Sequence, residues 1–198
     1  MLAERLKQNL LLTDEEFNSI YPERIRELDN KHWTPLAVAK EAAQFLVNRP
    51  GVKVLDIGSG VGKFCIVGSS VTDGYFTGVE YRKDLFELSN ELKQQHDLKN
   101  VDFVHANITT INFKDYNAFY FFNSFIENMS ETEVMDDAVP VGAHLYARYN
   151  QYLREQFATM PIGTRLATYW GNSEEVPRGY MNVGSAFEGE LKMWEKLF

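Results

Sequence analysis

The sequence predicts an α/β protein with a doubly wound, mostly parallel sheet. Three observations carry that expectation. Short apolar runs alternate with amphipathic stretches from about residue 50 onward, the pattern of strands joined by crossover helices. The first run, "VKVLDI", passes straight into a glycine-rich turn, "GSGVG", and then into "KFCIVGSS", which opens a helix. A later run, "NAFYFFNSF", is apolar almost throughout, as expected of a central strand covered on both sides.

Each element follows from its own residues. Residues 1–49 read as helices, without strand alternation, and are expected to form an N-terminal cap on a domain spanning 50–198. Asp14 is placed to cap a short helix, and Pro22 marks a break. In "WTPLAVAKEAAQFLV", Thr34 fits the cap position and Pro35 the first turn, where a missing N–H costs nothing. Leu36, Ala39, Ala43 and Leu46 then share one face. After "VKVLDI" and its helix come a second strand, "GYFTGVE", and a helix with Leu85, Leu88 and Leu92 on one side. "VDFVHA" is the third strand and "NAFYFFNSF" the fourth. An acidic loop leads to the helix "AHLYARYNQYLREQF", with Leu145, Tyr149 and Tyr152 on one face, and "TRLATYW" is the fifth strand. The tail reads as a hairpin or two short strands around Gly184 and Gly189, which brings the sheet to seven strands.

Composition narrows the function. A chain of 198 residues suits one domain with a small extension, and 44% hydrophobic residues can build a core. The net charge of −8, with no Lys/Arg run, argues against a phosphate-backbone binder. A single cysteine, Cys65, excludes an internal disulfide and any multi-cysteine zinc site, and no metal is expected. The first residues form neither a signal peptide nor a membrane span. A soluble, cytoplasmic protein is expected.

The turn "DIGSGVGK" occupies the ligand position of an open α/β sheet, between the first strand and its helix. Glycines there admit a close ligand and positive φ. Two phosphate templates fail. G-x-x-x-x-G-K-[ST] would need glycine at Ile57 and Ser or Thr at Phe64. G-x-G-x-x-G/A would end on Lys63 or Cys65. What stands is G-x-G-x-G preceded by an acid: Asp56, Gly58, Gly60 and Gly62.

That pattern resembles motif I of the class I S-adenosylmethionine-dependent methyltransferases, over roughly residues 51–198. The resemblance implies a Rossmann-like fold, S-adenosyl-L-methionine as cofactor and methyl transfer as the activity. It assigns Asp56, Gly58, Ser59, Gly60 and Gly62 to the cofactor, with Asp56 near its amino group. Glu80, ending "FTGVE", would accept from the ribose hydroxyls; a carboxylate there would repel a 2′-phosphate. Tyr81 could pack on adenine. Asn107, where an aspartate is commoner, would meet the adenine amino group, with Ile108 beside it. Asn123, after the fourth strand, would lie beside the methyl donor, and Glu127 is a candidate general base.

The acceptor is open. Methyltransferases of nucleobase amines carry [DN]-P-P-[FYW] after the fourth strand; here "NSFI" stands there. The first motif, "GVEYR" and "FFNSF" are also similar to the non-SET lysine methyltransferases of histones, but no basic arm accompanies them. The acceptor can be a small molecule or a protein side chain. His32 and Trp33 could line the pocket from the cap. Glu131, Glu133, Asp136 and Asp137 could draw a cationic amine or simply face solvent. A NAD- or nucleotide-binding protein on a related sheet, and a non-catalytic binding module, are the alternatives.

Overall fold

The computed structural model describes residues 6, 12–26, 33–122, 125, 128, 142–170 and 173–198. Its seven strands form one mixed sheet in the order β3-β2-β1-β4-β5-β7-β6. They are β1 (Lys53–Ile57), β2 (Tyr75–Glu80), β3 (Val101–His105), β4 (Ala118–Phe121), β5 (Arg165–Tyr169), β6 (Tyr180–Ala186) and β7 (Leu191–Lys196). The first five run parallel, and the β6–β7 hairpin joins β5 antiparallel through β7. The chain steps outward from β1 to β3, then returns across β1 to β4. The order therefore reverses between β1 and β4, which places a ligand crevice at their carboxyl ends. In register, Ile57 lies opposite Val79 on one side and Phe121 on the other.

The described helices are α1 (Asp14–Asn18), α2 (Glu23–Arg26), α3 (Leu36–Leu46), α4 (Lys63–Val71), α5 (Lys83–Gln95) and α6 (Ala143–Thr159). One core gathers α3, α4, α5 and the N-terminal segment against Val54, Tyr120 and Ala167. The other gathers Leu153 and Phe157 of α6 against Leu55, Ile57, Phe119 and Phe121. Alternation along β4 thus sends Phe119 and Phe121 to one side and Tyr120 to the other, and all four of its residues are buried. Between β3 and β4 the chain makes two 3₁₀ turns, Ile108–Thr110 and Phe113–Asp115. β6 is an outer strand, and its ladder with β7 slips between Asn182 and Gly184.

Two capping expectations need correction. Asp14 does not cap α1. Thr13 does, in a reciprocal box with Glu16: Thr13 Oγ1 accepts from Glu16 N at 3.1 Å, and Glu16 Oε2 accepts from Thr13 N at 2.9 Å. Thr34 does not cap α3, whose cap position is Pro35. The first N–H of α3, on Leu36, is instead satisfied from 22 residues upstream by Asp14 Oδ1 at 2.9 Å. Thr34 and Tyr120 share a buried hydroxyl–hydroxyl bond of 2.9 Å. A long-range partner took each side chain away from its local helix.

Among the described residues no helix is long and apolar enough to cross a membrane. None of their His, Cys, Asp and Glu side chains form a group that could hold a metal ion.

Candidate functional site

The glycine turn is built by backbone geometry and by strand β2 beneath it. Gly58, Gly60 and Gly62 all have left-handed φ, at 72°, 53° and 78°. Gly58 N and Ser59 N both donate to Val79 O at 3.0 Å, which pins the turn to β2. The glycines serve different ends. A Cβ at Gly62 would lie 2.5 Å from the Phe103 ring, whereas one at Gly60 would meet nothing within 4 Å. Gly60 therefore faces open space, where a ligand can come close to the backbone.

This difference sets an expected result. Gly62→Ala combines left-handed strain of about 1–2 kcal/mol with overpacking of about 1–3 kcal/mol. Gly60→Ala carries strain alone. At about 2–4 °C per kcal/mol for a chain of this size, thermal unfolding should show a markedly larger fall for Gly62→Ala. Equal falls would refute the distinction.

Two carboxylates flank the turn from adjacent strands. Glu80 ends β2 and is buried. Its Oε2 accepts from Gly60 N at 2.8 Å and its Oε1 from Arg82 N at 2.7 Å. Burial nevertheless raises its pKa, outweighing those bonds and the Arg82 charge. Asp56, in β1, is only 3% exposed. Burial pushes it up to about 7; the Cys65 thiol, donating to Oδ2 at 3.4 Å, works against that rise, and the nearby Glu80 adds to it. Buried carboxyls in each other's field are costly unless a cation joins them. Ser59 Oγ is also buried without a partner among the described residues.

The other expected site residues are distributed around this centre. Tyr81 follows Glu80 with its side chain 46% exposed, and its carbonyl is bonded to His105 Nε2 at 3.0 Å. Asn107 sits at the end of β3 as the cap of the first 3₁₀ turn. Its Oδ1 accepts from Thr109 N and Oγ1 at 3.0 and 2.8 Å, and its Nδ2 donates to Tyr149 OH at 2.9 Å. Its carbonyl is thus already engaged within the fold. The Ile108 side chain is buried in the core, so only its main chain can meet a polar ligand. Trp33 is buried against Tyr21, with ring centroids 4.6 Å apart. Asn123, Glu127, His32, Glu131, Glu133, Asp136 and Asp137 lie outside the described residues.

Sequence reasoning missed three contributors. Gly78 in β2 has no side chain because Ser59 Oγ would lie 2.6 Å from its Cβ; a lone glycine inside a strand signals such an approach. Cys65 points at Asp56, and its thiol is raised well above its usual range by burial and by that carboxylate. It is therefore no nucleophile. Lys63 is buried although it opens a helix, a placement with no sequence signal.

Comparison with known proteins adds to this geometry. A family model described as "Methyltransferase domain" matches residues 48–166. The demethylmenaquinone methyltransferase of Listeria welshimeri is 26% identical over 152 residues, 75% of this chain and 56% of that protein. The Listeria monocytogenes protein of the same description matches to the same extent. The chain spans little more than half the length of these relatives. TrmN from Thermus thermophilus superposes with a TM-score of 0.63 at 17% identity, covering 88% of this chain and 52% of that one. An RNA methyltransferase from Salinibacter ruber, solved with S-adenosyl-L-homocysteine, gives 0.59 at 15% identity, with 83% and 94% covered. At these identities the structures speak for the fold.

Proposed function

The chain belongs to the class I S-adenosylmethionine-dependent methyltransferase family, and on that premise we propose that it binds S-adenosyl-L-methionine at the glycine turn and transfers its methyl group to an organic acceptor. The observation that carries this reading is the pair of buried carboxylates, Asp56 and Glu80, flanking a turn whose middle glycine faces open space. Two acids beside an open turn can accept hydrogen bonds from hydroxyls and, when ionised, hold a cation; the donor offers ribose hydroxyls and an ammonium. When bound, it supplies a methyl carbon made electrophilic by its own sulfonium.

The chain supplies position. Glu80 holds Gly60 N and Arg82 N and keeps lone pairs for two ribose hydroxyls. Asp56 faces the amino group, and Ser59 Oγ supplies a further polar contact. Tyr81 offers an exposed ring for adenine. Aligning the nucleophile with methyl and sulfur is the principal catalytic contribution, worth several kcal/mol. By its place after the fourth strand in the sequence, Asn123 is our candidate for the residue beside the methyl, and Glu127 our candidate base for an acceptor that must lose a proton. A cytoplasmic setting suits the lone thiol of Cys65.

The acceptor rim lies at the carboxyl ends of β4 and β5. Phe122 packs 4.9 Å from Tyr169, and Trp170, left-handed at φ 51°, is 50% exposed beside them. Exposed aromatic surface next to a donor site suits a small organic acceptor, aromatic or cationic. The test is methyl transfer from labelled donor to a panel headed by demethylmenaquinone, the acceptor named for the relatives, with primary amines and free lysine as further members. Trp170→Ala should raise KM for the accepted compound severalfold with donor affinity unchanged. No transfer to any member, despite donor binding, would favour a non-catalytic binding module; stabilisation by NAD instead of S-adenosylhomocysteine would favour the nucleotide-binding alternative.

A further inference from the structure

Lys63 occupies a place that disfavours it. It is the first residue of α4, immediately after Gly62, and only 3% of it is exposed. A cation in the first turn of a helix meets the unfavourable end of the macrodipole, and burying an ammonium is costly unless it is paired. The pairing comes from the N-terminal segment. Lys63 Nζ bonds to Asp14 Oδ1, and it lies 5.6 Å and 5.7 Å from the ring centroids of Phe17 and Trp33, within cation–π range.

Asp14 Oδ1 also accepts from Leu36 N. One carboxylate therefore joins α1, the start of α3 and the start of α4. A second tie runs from Thr34 to Tyr120 OH. Tyr120 stacks on Phe64 at 3.8 Å and stands in the field of Asp56. The N-terminal segment is thus fastened one residue beyond the last glycine of the turn and again beside the buried acid of the same site.

We propose that Lys63 is a positioning residue that couples occupancy of the glycine turn to the seating of residues 12–26 and of Trp33 and Thr34. The inference rests on the donor-site reading. A ligand held at Gly60 restrains the turn and with it the first turn of α4; Lys63 passes that restraint to Asp14, Phe17 and Trp33. Coupling between two sites is reciprocal, so a seated segment retains the donor and a bound donor seats the segment.

The experiment is hydrogen exchange read by peptide, with and without S-adenosylhomocysteine, together with calorimetric affinity, on the wild type, Lys63→Met and Asp14→Asn. Asparagine at 14 keeps an acceptor for Leu36 N and removes only the charge at the partly exposed end of the pair, so it carries the test if Lys63→Met fails to fold. In the wild type the ligand should slow exchange both at 56–64 and at 12–26. In the variants protection at 56–64 should persist, protection at 12–26 should vanish, and Kd should rise about tenfold. A merely structural role would loosen 12–26 equally with and without ligand. Wild-type protection confined to 56–64, or variants with wild-type affinity and ligand-dependent protection at 12–26, would overturn the coupling. Absence of wild-type protection at 56–64 would overturn the donor-site reading and the coupling with it.

Discussion

Glu80→Ala should lower the affinity for S-adenosylhomocysteine at least a hundredfold while leaving the fold intact. The side chain serves two sets of donors. Within the protein it accepts from Gly60 N and Arg82 N, and removing it leaves buried N–H groups without that partner, at about 1–3 kcal/mol each. In the proposed complex it also accepts from the ribose. A hundredfold is about 2.7 kcal/mol, less than the loss of two charge-assisted bonds at about 1.5–3 kcal/mol each. Glu80→Gln is the sharper variant. It conserves shape, but its amide must point an N–H at one of two backbone N–H groups. Calorimetry decides, with circular dichroism as the check on folding. Affinity within threefold of wild type would remove Glu80 from the site.

Asp56 should make donor binding depend on pH near neutrality. Its folded pKa is about 7, against an ordinary value of 3.8. A raised acid in the folded state means that the native protein holds the proton more tightly than the unfolded chain. Stability from this group is therefore fully present below about pH 4, declines as pH rises towards 7, and is level above that. A cationic amino group placed against Asp56 favours its ionised form and lowers its pKa. Binding at pH 6–7 should then release up to one proton, and affinity should climb with pH through that window. Calorimetry in two buffers of different ionisation enthalpy reads the release directly. Asp56→Asn should abolish it and weaken binding, while raising the melting temperature of the ligand-free protein at pH 8 more than at pH 5. Heats of binding that do not depend on the buffer would sink the role assigned to Asp56.

Much of this architecture was legible in the residues. The strands and the principal helices lie where apolar periodicity placed them, because that periodicity is itself the record of which face is buried. The glycine turn and Glu80 could be read together because both lie at ends of strands, where local spacing in the chain fixes spacing in space. Other features were hidden. Asp14 and Thr34 carry perfectly ordinary capping chemistry, and nothing local says that Leu36, Lys63 and Tyr120 will claim them instead. Lys63 carries no local sign of burial; its place is set by the N-terminal segment that packs against it. Asn107 could be placed at its strand end, but its engagement by Tyr149 depends on a helix that begins 36 positions later. What the chain writes in periodicity can be read from it; what distant segments negotiate between themselves cannot.

The slipped ladder at Asn182–Gly184 bears on how the protein behaves in a crowded solution. An outer strand exposes an unpaired row of backbone groups to any neighbour. In β6 that row comes with two exposed apolar side chains, Met181 and Val183, a combination that invites strand-to-strand polymerisation. The irregularity interrupts the row at Val183, so a second chain cannot zip along it in continuous register. The opposite margin of the sheet, β3, solves the same problem with charge, since Asp102 there is paired with Lys93. One border carries a dislocation and the other a charged pair, and both features work against strand-to-strand pairing at the margins of the sheet.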